Sequence, residues 1–146
     1  MTAGDVDGTG KGSFVTVDRN DDKVTSYVYG GGAWSLMDNL SVGNKPVHII
    51  SGDLDGDDNL DVVTVDKLDY QVTSLLGDGS GNLSKKSATE VGEKPQGGTI
   101  ADLDGDGDLD LALTNYNNVV GSVNILEGDG SGGCLLYTSP SPRDNR

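Results

Sequence analysis

The chain has little of what polar catalysis and soft-metal binding depend on. In 146 residues it carries one histidine, His48, and one cysteine, Cys134. A lone cysteine forms no internal disulfide, and zinc, which takes Cys and His ligands, finds no set here. No Ser–His–Asp or Cys–His arrangement can be assembled either. Basic residues are scarce: 10 against 24 acidic ones, a formal charge of −14. That balance excludes a nucleic-acid surface, which needs cations to neutralise phosphates, and docking on anionic lipid. No run approaches the roughly 20 apolar residues of a membrane span. The N-terminal MTAGDVDGTG has neither the basic start nor the apolar run of a signal peptide. With 34% apolar and 5% aromatic residues, any fold must rest on short strands and tight turns, with room for bound metal to add to them.

What the chain does have is a repeat. Gly4–Asp18, Gly52–Asp66 and Ala101–Asn115 align without gaps, at offsets of 48 and 49 residues. Val42-Gly-Asn-Lys-Pro46 recurs as Val91-Gly-Glu-Lys-Pro95, and Gly77-Asp-Gly-Ser-Gly81 as Gly128-Asp-Gly-Ser-Gly132. The second unit predicts strands near His48–Asp53, Leu60–Asp66, Gln71–Leu76 and Asn82–Val91, rich in Val, Leu, Ile and Thr between Gly, Asp and Asn turns. Val62-Val-Thr-Val65, Phe14-Val-Thr-Val17 and Leu111-Ala-Leu113 are apolar on both faces and belong deep in the fold. No segment keeps a 3.6-residue apolar period, so helix is nearly absent.

Four antiparallel strands per unit make one blade of an all-β propeller. A β-sandwich would not explain so strict a repeat. Residues 1–133 then hold about 2.7 units, near 1–46, 47–95 and 96–133. A propeller closes with at least about four blades, so the chain is expected to be part of a larger one. After Gly133 the repeat stops. Cys134 to Asp144 resembles the translation of a transposase sequencing adapter, which implies that residues 134–146 are a non-native tail.

The third unit contains Asp102-x-Asp104-x-Asp106-Gly107-x-x-Asp110. Carboxylates at positions 1, 3 and 5 of a turning loop converge on one centre. Glycine at position 6 allows the bend, position 7 offers its carbonyl, and an acid at position 9 closes the shell. Such a set of hard oxygens suits Ca²⁺, which takes six to eight of them at about 2.3–2.6 Å, better than Mg²⁺ with its stricter octahedron. The second unit repeats the ligands as Asp53, Asp55, Asp57 and Asp61, with Asp58 at the bend. Aspartate tolerates a left-handed backbone better than most residues, at some strain. The first unit keeps Asp5 and Asp7 but has Thr9 and Ser13 at positions 5 and 9, a weak copy. A solvated acidic turn is the plainer alternative. Against it, each strong loop packs five acids into nine residues, whose mutual repulsion a mere turn has no use for. Position 12 is Thr64 or Leu113, inside a strand, which excludes an EF-hand with its bidentate Glu and flanking helices.

The loop, the Leu-Ala-Leu after it, the Gly-Asp-Gly-Ser-Gly turn and Val-Gly-x-x-Pro together resemble the FG-GAP/VCBS repeat of integrin-α-like propellers, across nearly all of residues 1–133. The Phe-Gly and Gly-Ala-Pro signatures are absent, so the likeness is to the bacterial VCBS branch. The resemblance implies one Ca²⁺ per loop, held by Asp102, Asp104, Asp106, Asp110 and the Asp108 carbonyl, and by Asp53, Asp55, Asp57, Asp61 and the Asn59 carbonyl. With no catalytic set to assemble, the chain is expected to be a non-catalytic module whose rim meets a protein or polysaccharide ligand. Millimolar calcium outside cells, which keeps even modest sites loaded, favours a secreted or surface protein. The alternative is an accessory domain of a secreted polysaccharide-degrading enzyme whose catalytic part lies elsewhere.

Other motifs yield to simpler explanations. Gly128-Asp-Gly-Ser-Gly-Gly133 satisfies a dinucleotide fingerprint, but the equivalent turn at 77–81 leads into a strand rather than a helix. His48, beside Ile49 and Ile50, suits a packed or edge position better than that of a base. Carboxylate pairs abound, yet an acid holding calcium is a poor proton donor for glycoside hydrolysis. Trp34 takes the place of Leu83 and suits blade packing, and Tyr27 and Tyr29 share one strand face.

Overall fold

The computed structural model describes residues 2–4, 12–116 and 121–137. Among them there is no helix, and so none long and apolar enough to cross a membrane. Twelve strands form three antiparallel sheets of four, each a consecutive meander. Blade one contains β1 (Thr2–Gly4), β2 (Ser13–Asp18), β3 (Lys23–Gly30) and β4 (Ala33–Ser41). Blade two contains β5 (Pro46–Gly52), β6 (Asp61–Asp66), β7 (Gln71–Gly77) and β8 (Leu83–Glu90). Blade three contains β9 (Pro95–Ala101), β10 (Asp110–Tyr116), β11 (Gly121–Gly128) and β12 (Cys134–Tyr137). The strands of unit two lie within two residues of their sequence-based bounds.

Consecutive blades pack face to face, with β5 against β9 and β2 against β5. The alternation of β6 shows how. Val62 joins Val15, Val24, Ile49, Leu75 and Leu83 between blades one and two. Val63 and Val65 join Leu54, Val72, Leu111, Leu113 and Leu126 between blades two and three. Every residue of β6 is buried, as two apolar faces require. The matching strands β2 and β10 are covered on one face only: Phe14 and Ala112 are half-buried. Burial at a repeat position therefore depends on which neighbours are present.

β12 gives the third sheet its fourth strand, pairing Cys134–Tyr137 with Ile125–Gly128. A strand ladder asks only for backbone N–H and C=O groups, so this pairing carries no mark of the segment's origin. Burial pushes the Cys134 thiol up to about 11, which keeps it protonated and unreactive at neutral pH.

Two marker motifs prove to be backbone devices. Lys45 and Lys94, each just before the proline of Val-Gly-x-x-Pro, have positive φ of 56° and 50°. Gly77 and Gly128 end the third strands where a side chain has no room. A Cβ on Gly128 would lie 2.5 Å from the Leu109 carbonyl oxygen, and one on Gly77 would strike that of Leu60. Backbone cannot yield as a side chain tip can. We expect Gly77→Ala to destabilise by about 2–4 kcal/mol, by analogy with overpacked sites, read from urea unfolding.

Candidate metal sites

Both aspartate loops join the first strand of a blade to its second, β5 to β6 and β9 to β10. The position-1 carboxylate organises each bend. Asp53 accepts hydrogen bonds from the amides of Gly56 (2.8 Å), Asp57 (3.1 Å) and Asp58 (2.9 Å). Asp102 accepts from Gly105 (2.6 Å) and Gly107 (3.2 Å). Asp57 takes the Asn59 amide at 2.8 Å and its side-chain NH₂ at 2.6 Å; Asp106 takes the Asp108 amide at 2.9 Å. The Asn59 amide, then its side chain, holds the Asp57 carboxyl below its ordinary value.

Each loop brings three carboxylates to one point. Oxygens of Asp53, Asp55 and Asp61 lie within 4.8 Å of one another, as do those of Asp102, Asp104 and Asp106. The two trios are not the same set: the first uses positions 1, 3 and 9, the second 1, 3 and 5. Asp57 stays outside the first and Asp110 outside the second. Asp5, Asp7 and Thr9 of unit one lie outside the described residues, and Ser13 begins β2.

Residues 58 and 107 behave alike despite their difference in type. Asp58 adopts φ 66° and Gly107 φ 100°, so the bend of unit two is made by an aspartate in the left-handed region. Asp58→Gly is expected to stabilise the fold by about 1 kcal/mol, since the conformation costs a non-glycine residue about that much. Thermal unfolding in chelator checks it.

The position-9 aspartates have a second task that the spacing did not reveal. Asp61 Oδ2 accepts from the Leu54 amide at 2.7 Å and Oδ1 from Gly77 at 2.8 Å. Asp110 repeats both bonds, to Leu103 at 2.8 Å and Gly128 at 2.9 Å. Each carboxylate thus ties the start of its loop to the end of the third strand, from a buried position. The position-7 side chains join the same knot: Asn59 lies against Gly79 and Asp108 against Gly130, in the two Gly-Asp-Gly-Ser-Gly turns.

One oxygen in loop two has no partner. Asp55 Oδ1 is fully buried and accepts no hydrogen bond. A carboxylate oxygen withdrawn from water beside two further carboxylates is costly unless a cation lies among them. The donor set, all hard oxygen, fits a hard divalent ion. Burial raises the Asp61 carboxyl above 3.8, against the pull of the Gly77 and Leu54 amides and with help from the charges of Asp55 and Asp57. Without a cation, the stability owed to protonated Asp61 is therefore fully present below pH 3.8 and lost as pH rises through its higher folded value. A bound cation removes that loss, so the rise in melting midpoint on adding metal should grow with pH across this window. Scanning calorimetry at several acid pH values, with and without metal, measures it.

Asp66 is a further buried carboxylate that the sequence presented as an ordinary strand end. It accepts from the Gly43 amide (3.1 Å), Thr73 (2.6 Å) and Thr64 (2.9 Å), linking blade two to the segment that follows blade one. Asn115 takes this place in blade three, where its side-chain NH₂ donates to Asn124.

Residues 53–113, from the first aspartate of loop two to the strand after loop three, match the model of the FG-GAP-like repeat. No curated protein and no solved structure matches the chain.

Proposed function

We propose that this chain, an all-β array carrying an FG-GAP-like repeat, is a non-catalytic calcium-binding propeller module of a secreted or surface protein, serving adhesion or recognition of a protein or polysaccharide. The buried Asp55 oxygen is the observation that carries the metal reading, because it has no hydrogen-bond partner among the described residues. Calcium would be held by Asp53, Asp55, Asp57, Asp61 and the Asn59 carbonyl, and by Asp102, Asp104, Asp106, Asp110 and the Asp108 carbonyl. Its role is mechanical: it neutralises the crowded charges of each loop and fixes the rim of the blade. Ligands meet β scaffolds at their loops, so a rim held in one shape is a rim that can recognise. Millimolar calcium outside cells loads even modest sites, which supports the extracellular setting.

Titration calorimetry with Ca²⁺ tests the sites. The wild type should bind about two ions, Asp53→Ala about one, and Asp53→Ala combined with Asp102→Ala none. Undiminished binding by the double variant would end the assignment.

A further inference from the structure

The turn between β11 and β12 is hydrogen-bonded to both aspartate loops at once. At its start the Gly128 amide donates to Asp110 Oδ1 of loop three at 2.9 Å. At its far end the Gly132 amide donates across the blade junction, at 3.1 Å, to the carbonyl of Leu54. Leu54 is the residue between Asp53 and Asp55 of loop two. Midway, Gly130 lies against the Asp108 carboxylate, where a Cβ would come within 2.7 Å of Oδ2. One short turn therefore touches positions 7 and 9 of one loop and position 2 of the other.

The turn is itself held in one shape. Asp129 Oδ1 accepts from the Ser131 amide at 2.9 Å, the Ser131 hydroxyl at 2.8 Å and the Gly133 amide at 3.0 Å. The Asp129 amide donates in turn to the Gly133 carbonyl at 3.3 Å. Gly130 and Gly132 take positive φ of 63° and 79°. A Cβ on Gly132 would strike the Leu76 side chain of blade two, so the backbone there sits directly on its neighbour. The turn between β7 and β8 is built alike. Its Gly77 amide donates to Asp61, and its Gly81 carbonyl accepts from Ser26 Oγ of blade one at 2.7 Å. Reaching back to the preceding blade is a property of this turn at both junctions.

An empty loop keeps like charges apart, whereas a filled one lets them converge. With loop two filled, the Leu54 carbonyl is fixed between two ligands, and Gly132 is fixed on it. Through the turn that places Gly128 and Gly130, the neighbours of Asp110 and Asp108. The ordering cost of the turn then arises once for two ions rather than twice. By linkage the effect of loop three on loop two is equal. We propose that the turn Gly128–Gly133 couples the two loops, so that calcium in either raises the affinity of the other for calcium. Asp129 is its positioning residue. The proposal rests on the calcium reading of both loops. Repulsion between two cations through space would couple them with the opposite sign, and salt screens it, with a Debye length of about 3 Å at 1 M.

Titration calorimetry in roughly 1 M salt tests it on three proteins. The wild type gives the overall association constant for two ions. Asp55→Ala gives the constant of loop three alone, and Asp104→Ala that of loop two alone. The overall constant should exceed the product of the other two by about 5–20-fold. Adding Asp129→Ala to all three should bring that ratio to about 1, with both loops still binding. Asp129→Asn, which removes the charge but keeps the accepting oxygen, should preserve the excess. Amide hydrogen exchange reads the same link directly. Calcium added to Asp55→Ala fills loop three only, yet should slow exchange at Gly132, whose acceptor lies in loop two. An overall constant equal to the product, or below it, overturns the coupling and leaves both sites standing. An excess that survives Asp129→Ala overturns the role of the turn. Gly132 exchange that calcium leaves unchanged in Asp55→Ala does the same, and needs no turn variant to fold. A wild type that binds no calcium ends the calcium reading itself, and the coupling with it.

Discussion

Asp61→Ala is expected to lower stability by about 2–6 kcal/mol, and calcium is not expected to restore it. The substitution leaves the amides of Leu54 and Gly77 without acceptors, and each unsatisfied buried donor costs about 1–3 kcal/mol. Neither amide can turn to another partner, because Leu54 is packed between blades two and three and Gly77 is held in the β7 ladder, with no room for even a Cβ beside the Leu60 carbonyl. Asp110→Ala should follow the same pattern through Leu103 and Gly128. Asp55→Ala is the contrasting variant. In chelator it should be neutral or stabilising, since it removes a buried oxygen that nothing satisfies. In calcium it should lose the protection conferred by that site. Urea unfolding of both variants, in calcium and in chelator, separates the carboxylate that latches the fold from the carboxylate that awaits the ion.

Calcium itself should have the larger thermal effect. An ion at about 100 times its dissociation constant adds about 2.7 kcal/mol per site. Two sites in a chain of this size then raise the melting midpoint by on the order of 10 °C at neutral pH. Magnesium at equal concentration should give much less, because it demands tighter geometry and keeps its water. Differential scanning calorimetry in calcium, magnesium and chelator reads all three. A midpoint indifferent to calcium would leave the crowded loops without a compensating charge and the metal reading without support.

How much of this was legible in the sequence follows from what each feature depends on. The blades could be read because strand chemistry and turns are local and because the repeat fixed their spacing. The bend at Asp58 was foreseen on the tolerance of aspartate for positive φ. The latches at Asp61 and Asp110 were not, since their partners Gly77 and Gly128 lie 16 and 18 residues away and meet them only once β6 pairs with β7 and β10 with β11. Nor was Asp66, because an aspartate ending a strand gives no sign of the blade-one segment it will hold. By sequence, loop three looked the more complete site. In the fold the buried, unpartnered oxygen belongs to loop two, whose Leu54 is covered by blade three while Leu103 of loop three faces solvent. Ligand spacing is written in the loop; burial comes from the next blade.

The most direct measurement is a diffraction structure of the chain grown in calcium, with anomalous scattering to place the ions. An ion about 2.3–2.6 Å from Asp55 Oδ1, shared with Asp53 and Asp61, and a second among Asp102, Asp104 and Asp106, is the predicted result. An Asp55 oxygen bonded to water or to a protein donor, with no ion in either loop, would contradict it.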